Sequence, residues 1–137
     1  MLTANKRLSN LINEDIISQG KLELADQILS PDYVDHNAAP GLAAGIEGFK
    51  QGVELYRNAF PDLKIRVDDM IEEGDKVVTR WTATGIHNGE LMGIPPTGKA
   101  VLVTGISIDR CANGKVVEHW DVFDQLGMMQ QLGVIPA

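Results

Sequence analysis

The last quarter of the chain gathers an indole and several ionisable groups within seven residues, Glu118-His-Trp-Asp-Val-Phe-Asp124. In an extended segment alternate side chains share a face. Glu118, Trp120, Val122 and Asp124 therefore point one way, and His119, Asp121 and Phe123 the other. A carboxylate held against an indole is poorly solvated, and poor solvation brings an acid/base group into working range near neutral pH. Asp124, on the Trp120 face, is the leading candidate for that role, with Trp120 as its wall. The competing role is structural. Asp is a favoured N-cap, and a helix-like run starts at Gln125.

His36 is the candidate partner. It shares a face with Val34, titrates near neutral pH, and could share a proton with Asp124 or orient a substrate carbonyl. Trp81 offers a second wall panel, and Tyr33, Phe60 and His87 complete the candidate binding set, His87 from the glycine-rich stretch 85–98. His119 and Asp121, opposite Trp120, are expected at a dimer surface or in solvent. No His-x-x-x-His or Glu-x-x-His helix pair is present, so no metal is expected. A Gly-x-Ser-x-Gly elbow is absent, which argues against an acyl-enzyme, and the glycines of 85–98 lack the context of a phosphate loop.

These groups need a scaffold. Leu8, Leu11, Ile12 and Ile16 recur at helical spacing over about 3–18, and Gly20 ends that helix. A second, short helix is expected over 21–29, a short strand over 33–37, and a third helix from Ile46 to Phe60. The period then switches to that of strands: 63–69, 77–85, 101–110 and 115–124. Glu73-Gly-Asp75 and Asn113-Gly114 mark hairpins, the latter pair readily taking the positive φ of a tight turn. Val101–Arg110 is apolar on both faces and is expected at the centre of the sheet. Helices followed by an antiparallel meander define an α+β fold, with the helices lying in the concavity of a strongly bent sheet that leaves a cone-shaped pocket.

Length and composition set outer limits. A chain of 137 residues with 44% hydrophobic residues is expected to be one domain, 1–137, with a real core. A net charge of −7 provides no basic patch for nucleic acid. The single Cys111 excludes an intrachain disulfide and a cysteine zinc site. With no apolar run of membrane-spanning length and no signal-peptide core, a cytoplasmic protein is expected.

The loop Gly85-Ile-His-Asn-Gly-Glu-Leu-Met-Gly-Ile-Pro-Pro-Thr-Gly98, the stretch Asn113–Asp124 and Gln131-Leu-Gly133 together resemble the SnoaL-like polyketide cyclases, also called ester cyclases. These belong to a superfamily with a cystatin-like, nuclear-transport-factor-type cone fold. The resemblance implies a homodimer whose pocket closes a ring by intramolecular aldol condensation, without metal or organic cofactor, a strand carboxylate acting as acid/base. By motif that carboxylate matches Asp124, with Asp121 as the competing alignment. The resemblance also implies a His on the strand before the last hairpin, and Val101–Arg110 has none.

The expected activity is cofactor-independent removal of a proton next to a carbonyl of a small apolar, polyketide-like substrate, followed by ring closure or a double-bond shift. An epoxide hydrolase or dehydratase on the same scaffold ranks lower, because Arg80 alternates away from Trp81. A non-catalytic module that holds a small ligand is the alternative of a different class.

Overall fold

The computed structural model describes residues 2–137. Helix α1 (Ala4–Leu11) is capped by the Thr3 hydroxyl, which accepts from the Lys6 N–H, and continues as a π-helical segment over Ile12–Ile17. A 3₁₀ turn at Leu22–Leu24 leads into the short α2 (Ala25–Ile28) and strand β1 (Leu29–Asp35). Helix α3 (Gly45–Ala59) follows, then β2 (Lys64–Glu73), β3 (Lys76–Ile86), β4 (Ala100–Ala112), β5 (Lys115–Phe123) and α4 (Gln125–Leu132).

The five strands form one sheet in the order β1-β5-β4-β3-β2, with β4 in the middle. Pairing is antiparallel except at the edge, where β1 runs parallel to β5. The sheet is therefore mixed rather than wholly antiparallel, and it stays open instead of closing into a barrel. The strand expected at the centre, 101–110, is indeed the middle strand β4. Its face is apolar on both sides, but Leu102 and Ile106 are 54% and 51% exposed on the outer one.

The turns form where residue chemistry requires them. Asn113 and Gly114 take φ of 54° and 77°, the left-handed conformations a tight β4–β5 hairpin needs. Two apolar clusters fill the concave side. One joins Ile12, Ile16, Leu29, Tyr33, Val53 and Val116, and the other Phe60, Leu63, Val101, Val103, Met128 and Leu132. Between them the concave surface stays open.

One irregularity decides what faces that opening. Arg110 pairs with Glu118, and the next residue, Cys111, pairs with Val116, so Val117 is an extra, unpaired residue in β5. The β-bulge reverses odd and even along the strand. Val116 points into the core, and beyond the bulge His119, Asp121 and Phe123 point inward instead.

Candidate active site

The inward side chains of the sheet fall into rows set by register. Val77, Asp109, His119 and Asp35 lie side by side across β3, β4, β5 and β1. Thr79, Ser107 and Asp121 make the next row, and Trp81, Gly105 and Phe123 the one after. Gly105 is required by close approach: a Cβ there would sit 2.3 Å from the Trp81 ring, which lies across β4. Trp81 and Phe123 stand 6.5 Å apart, centroid to centroid, as an aromatic floor.

A cavity of about 380 Å³ opens over these rows. That is room for a small organic ligand. Phe49, Tyr56, Phe60, Trp81, Val103 and Phe123 supply much of its wall, and loop residues Asn37 to Leu42 and Met92 edge it. Its polar end holds Asp35, Asp109, His119 and Asp121. Among the described residues no Lys or Arg lines it.

The polar end is a chain of contacts. The Ser9 hydroxyl of α1 donates to Asp109 Oδ2 at 2.7 Å, and Asp109 Oδ1 sits 2.6 Å from His119 Nδ1. On its other side, His119 Nε2 faces Asp121 Oδ1 at 3.4 Å. Asp109 is only 2% exposed. An unpaired carboxylate there would cost several kcal/mol, about 3–5 by the usual effect of removing one partner of a buried pair. Burial opposes a charge on His119 too, but the hydrogen bonds and charges of Asp109 and Asp121 outweigh it and push its pKa up to about 10. The imidazole is thus held as imidazolium, donating from Nδ1 to Asp109 and facing Asp121 with Nε2.

Asp35 completes the cluster. It pairs in register with His119, and its carboxylate, His119 and Asp121 offer atoms within 4.8 Å of one another. Burial raises the Asp35 pKa, and the Asn37 N–H donated to its Oδ1 at 2.9 Å only partly opposes this. One histidine and two carboxylates lie at metal-ligand spacing there, but an imidazolium offers a cation no lone pair. The tyrosines near this end, Tyr33 and Tyr56, have raised pKa values, chiefly through burial, and stay neutral.

The candidates read from sequence are distributed differently from expectation. Trp81 and Phe60 line the cavity. Asp124 does not. It is exposed, caps α4, and accepts the Gly127 N–H at 2.9 Å. His36 and Trp120 lie outside as well, on the convex face, stacked at 4.7 Å with 10° between planes. His36 Nε2 is 2.8 Å from Glu118, which also accepts from Arg110 at 2.5 Å. The alternation of 118–124 is as expected, but the bulge at Val117 turns the Trp120 and Asp124 face outward.

Tyr33 is 3% exposed and packs edge-on against Phe49 in the core, apart from the cavity lining. His87 is fully buried under Phe60, 5.4 Å between ring centroids. Its Nδ1 accepts from the Thr97 N–H at 3.2 Å, and its main chain bonds Lys99 and Gly98, so it orders the loop rather than lining the cavity. Asp35, Asp109 and His119, absent from the candidates, are brought together instead. One signal for Asp109 is visible in the sequence: it shares a strand face with Val101, Val103, Gly105 and Ser107, where a charge needs a partner.

A mixed five-stranded cone whose concave face carries a carboxylate–histidine cluster above an apolar cavity defines a small-ligand pocket of acid/base type. The family model of the SnoaL-like polyketide cyclases matches residues 8–132, and the chain belongs to that family. It is 31% identical over 117 residues to the nogalonic acid methyl ester cyclase of Streptomyces nogalater, covering 83% of this chain and 87% of that one. It is 32% identical over 108 residues to the aklanonic acid methyl ester cyclase DnrD of Streptomyces peucetius, covering 78% and 72%. Among solved structures, TsrD from Streptomyces laurentii superposes with a TM-score of 0.88 at 31% identity, over 98% of this chain and 100% of that one. IdmH from Streptomyces antibioticus does so with a TM-score of 0.81 at 32% identity, over 94% and 98%. No described helix is long and apolar enough to cross a membrane.

Proposed function

We propose that the protein closes a ring in a small polyketide-like ester by cofactor-independent acid/base chemistry, with Asp121 as the base. The observation that supports this most is the position of Asp121. It shares the cavity with an aromatic floor and stands 3.4 Å from an imidazolium that Asp109 holds in place. Asp121 removes a proton from carbon next to a carbonyl, and the resulting enolate carbon attacks a second carbonyl of the same molecule. A positioned base of this kind contributes about 10²–10⁴-fold. Trp81, Phe60 and Phe123 stack on the flat part of the ligand. The relatives named for methyl esters suit this site, since an ester brings no negative charge into a cavity that already holds three carboxylates.

The functional unit of this proposal is a homodimer built on the convex sheet face. Val122 is 76% exposed there, next to Ile106 across β5 and β4. His119 and Asp121, expected at a dimer surface or in solvent, point into the cavity instead, so Trp120 and Val122 take their place.

The test is Asp121→Asn assayed on nogalonic and aklanonic acid methyl esters. Cyclisation should fall at least a hundredfold with ligand binding kept. Wild-type turnover in that variant would rule the assignment out.

A further inference from the structure

Resting on the reading of Asp121 as base, we infer that Asp35 is the acid of this site: it holds a proton at rest and delivers it to the oxygen of the carbonyl under attack.

Charge is unbalanced at the polar end. Three carboxylates, Asp35, Asp109 and Asp121, converge on a single imidazolium, and among the described residues no Lys or Arg lines the cavity. Asp109 has both oxygens engaged, one by Ser9 and one by His119 Nδ1, so it is the one held as an anion. Asp121 takes the other side of the imidazolium. Asp35 is left without a cation of its own. Among the described residues its one hydrogen bond is from the Asn37 N–H to Oδ1, which leaves the other oxygen to carry a proton at the cavity Asp35 lines. A carboxyl without a counter-ion, this close to two that have one, favours its protonated form.

The geometry supports separate tasks for the two carboxyls. Asn37 spans them: its N–H binds Asp35, while its side-chain oxygen accepts the Asp121 N–H at 3.0 Å. Asp35 on β1 and Asp121 on β5 are thus tied to the same Asn37, with His119 opposite Asp35 in register. Tyr33 and Tyr56, the other ionisable groups nearby, stay neutral.

The step balances. Asp121 takes the proton from the donor carbon, and the C–H electron pair becomes the enolate. The enolate carbon forms the new C–C bond, the carbonyl π pair moves to oxygen, and that oxygen takes the proton of Asp35. Asp121 then holds one proton more and Asp35 one fewer. Transfer between them within the cluster restores the start, so the reaction is a net isomerisation that consumes no other reagent.

Deuterium exchange separates the two roles. In D₂O with nogalonic acid methyl ester, Asp121→Asn should lose both exchange at the donor carbon and ring closure. Asp35→Asn should keep exchange while closure falls at least a hundredfold. Closure at the wild-type rate in Asp35→Asn, or loss of exchange together with closure, would overturn the role of Asp35 and leave Asp121 as base. Full exchange in Asp121→Asn would instead remove the base itself. Carbon-detected NMR titration of the wild-type protein gives a readout that needs no substrate. The Asp35 carboxyl carbon should titrate above the range of a free aspartate, and a free-aspartate titration would overturn the proposal.

Discussion

Asp109 and His119 face each other across β4 and β5 with their polar atoms 2.6 Å apart, and one of the pair is almost wholly buried. Removing the carboxylate leaves the Ser9 hydroxyl and His119 Nδ1 without their partner. Asp109→Ala should therefore cost about 3–5 kcal/mol of stability in denaturant melts. The milder Asp109→Asn should fold, and its His119 ring nitrogens, followed by nitrogen-15 NMR, should titrate well below the wild-type value.

The same pair sets a pH dependence. The folded pKa of His119, about 10, lies above its unfolded value of 6.5. The stability it contributes is therefore fully present below about pH 6.5 and is lost as pH rises through about 10. Thermal melts from pH 6 to pH 10 should show a decline that His119→Gln does not share.

Asp35 has the opposite sign. Its folded pKa is raised, so its ionised form is the one that folding disfavours. The penalty is absent below the unfolded value of 3.8 and grows as pH rises beyond it. Asp35→Asn should melt higher than wild type at pH 7 and alike at pH 3. Equal melting at both would mean that the group is freely solvated.

Asp124 caps a helix in the open. Asp124→Ala should cost about 1 kcal/mol, the usual loss for an N-cap, and leave cyclisation at the wild-type rate. Steady-state kinetics beside a denaturant melt checks both parts.

Gly105→Ala tests the floor of the cavity. The added methyl meets the Trp81 ring, and overpacking of this kind costs about 1–3 kcal/mol. A displaced indole should also shift the tryptophan emission and weaken ligand binding. On the opposite face, Val122→Lys should leave the cavity intact and yield monomer in sedimentation at micromolar concentration.

Most of the architecture is legible in the residues. The apolar spacing of Leu8, Leu11 and Ile16, the period-two run from Leu63, and Asn113-Gly114 locate helices, strands and hairpin close to where they fall. Local periodicity cannot show the parallel seating of β1 on β5, which depends on residues some 80 positions apart. Nor can it show the site. Which residues of 118–124 meet the ligand depends on whether β5 carries an extra residue against β4, a property of the pair of strands. Trp81 could be placed because β3 pairs with β4 in unbroken register, whereas Trp120 and Asp124 lie beyond the irregularity in β5.

That irregularity has a consequence for how the chain can change over generations. Since Val117 has no partner, a lineage can drop it and keep every group beyond it aimed as it is now. An insertion of one codon between Glu118 and Asp121 offers no such shelter. It would evict Asp121 or His119 from the cavity in a single event, so gaps between relatives should gather at position 117 and avoid the next four.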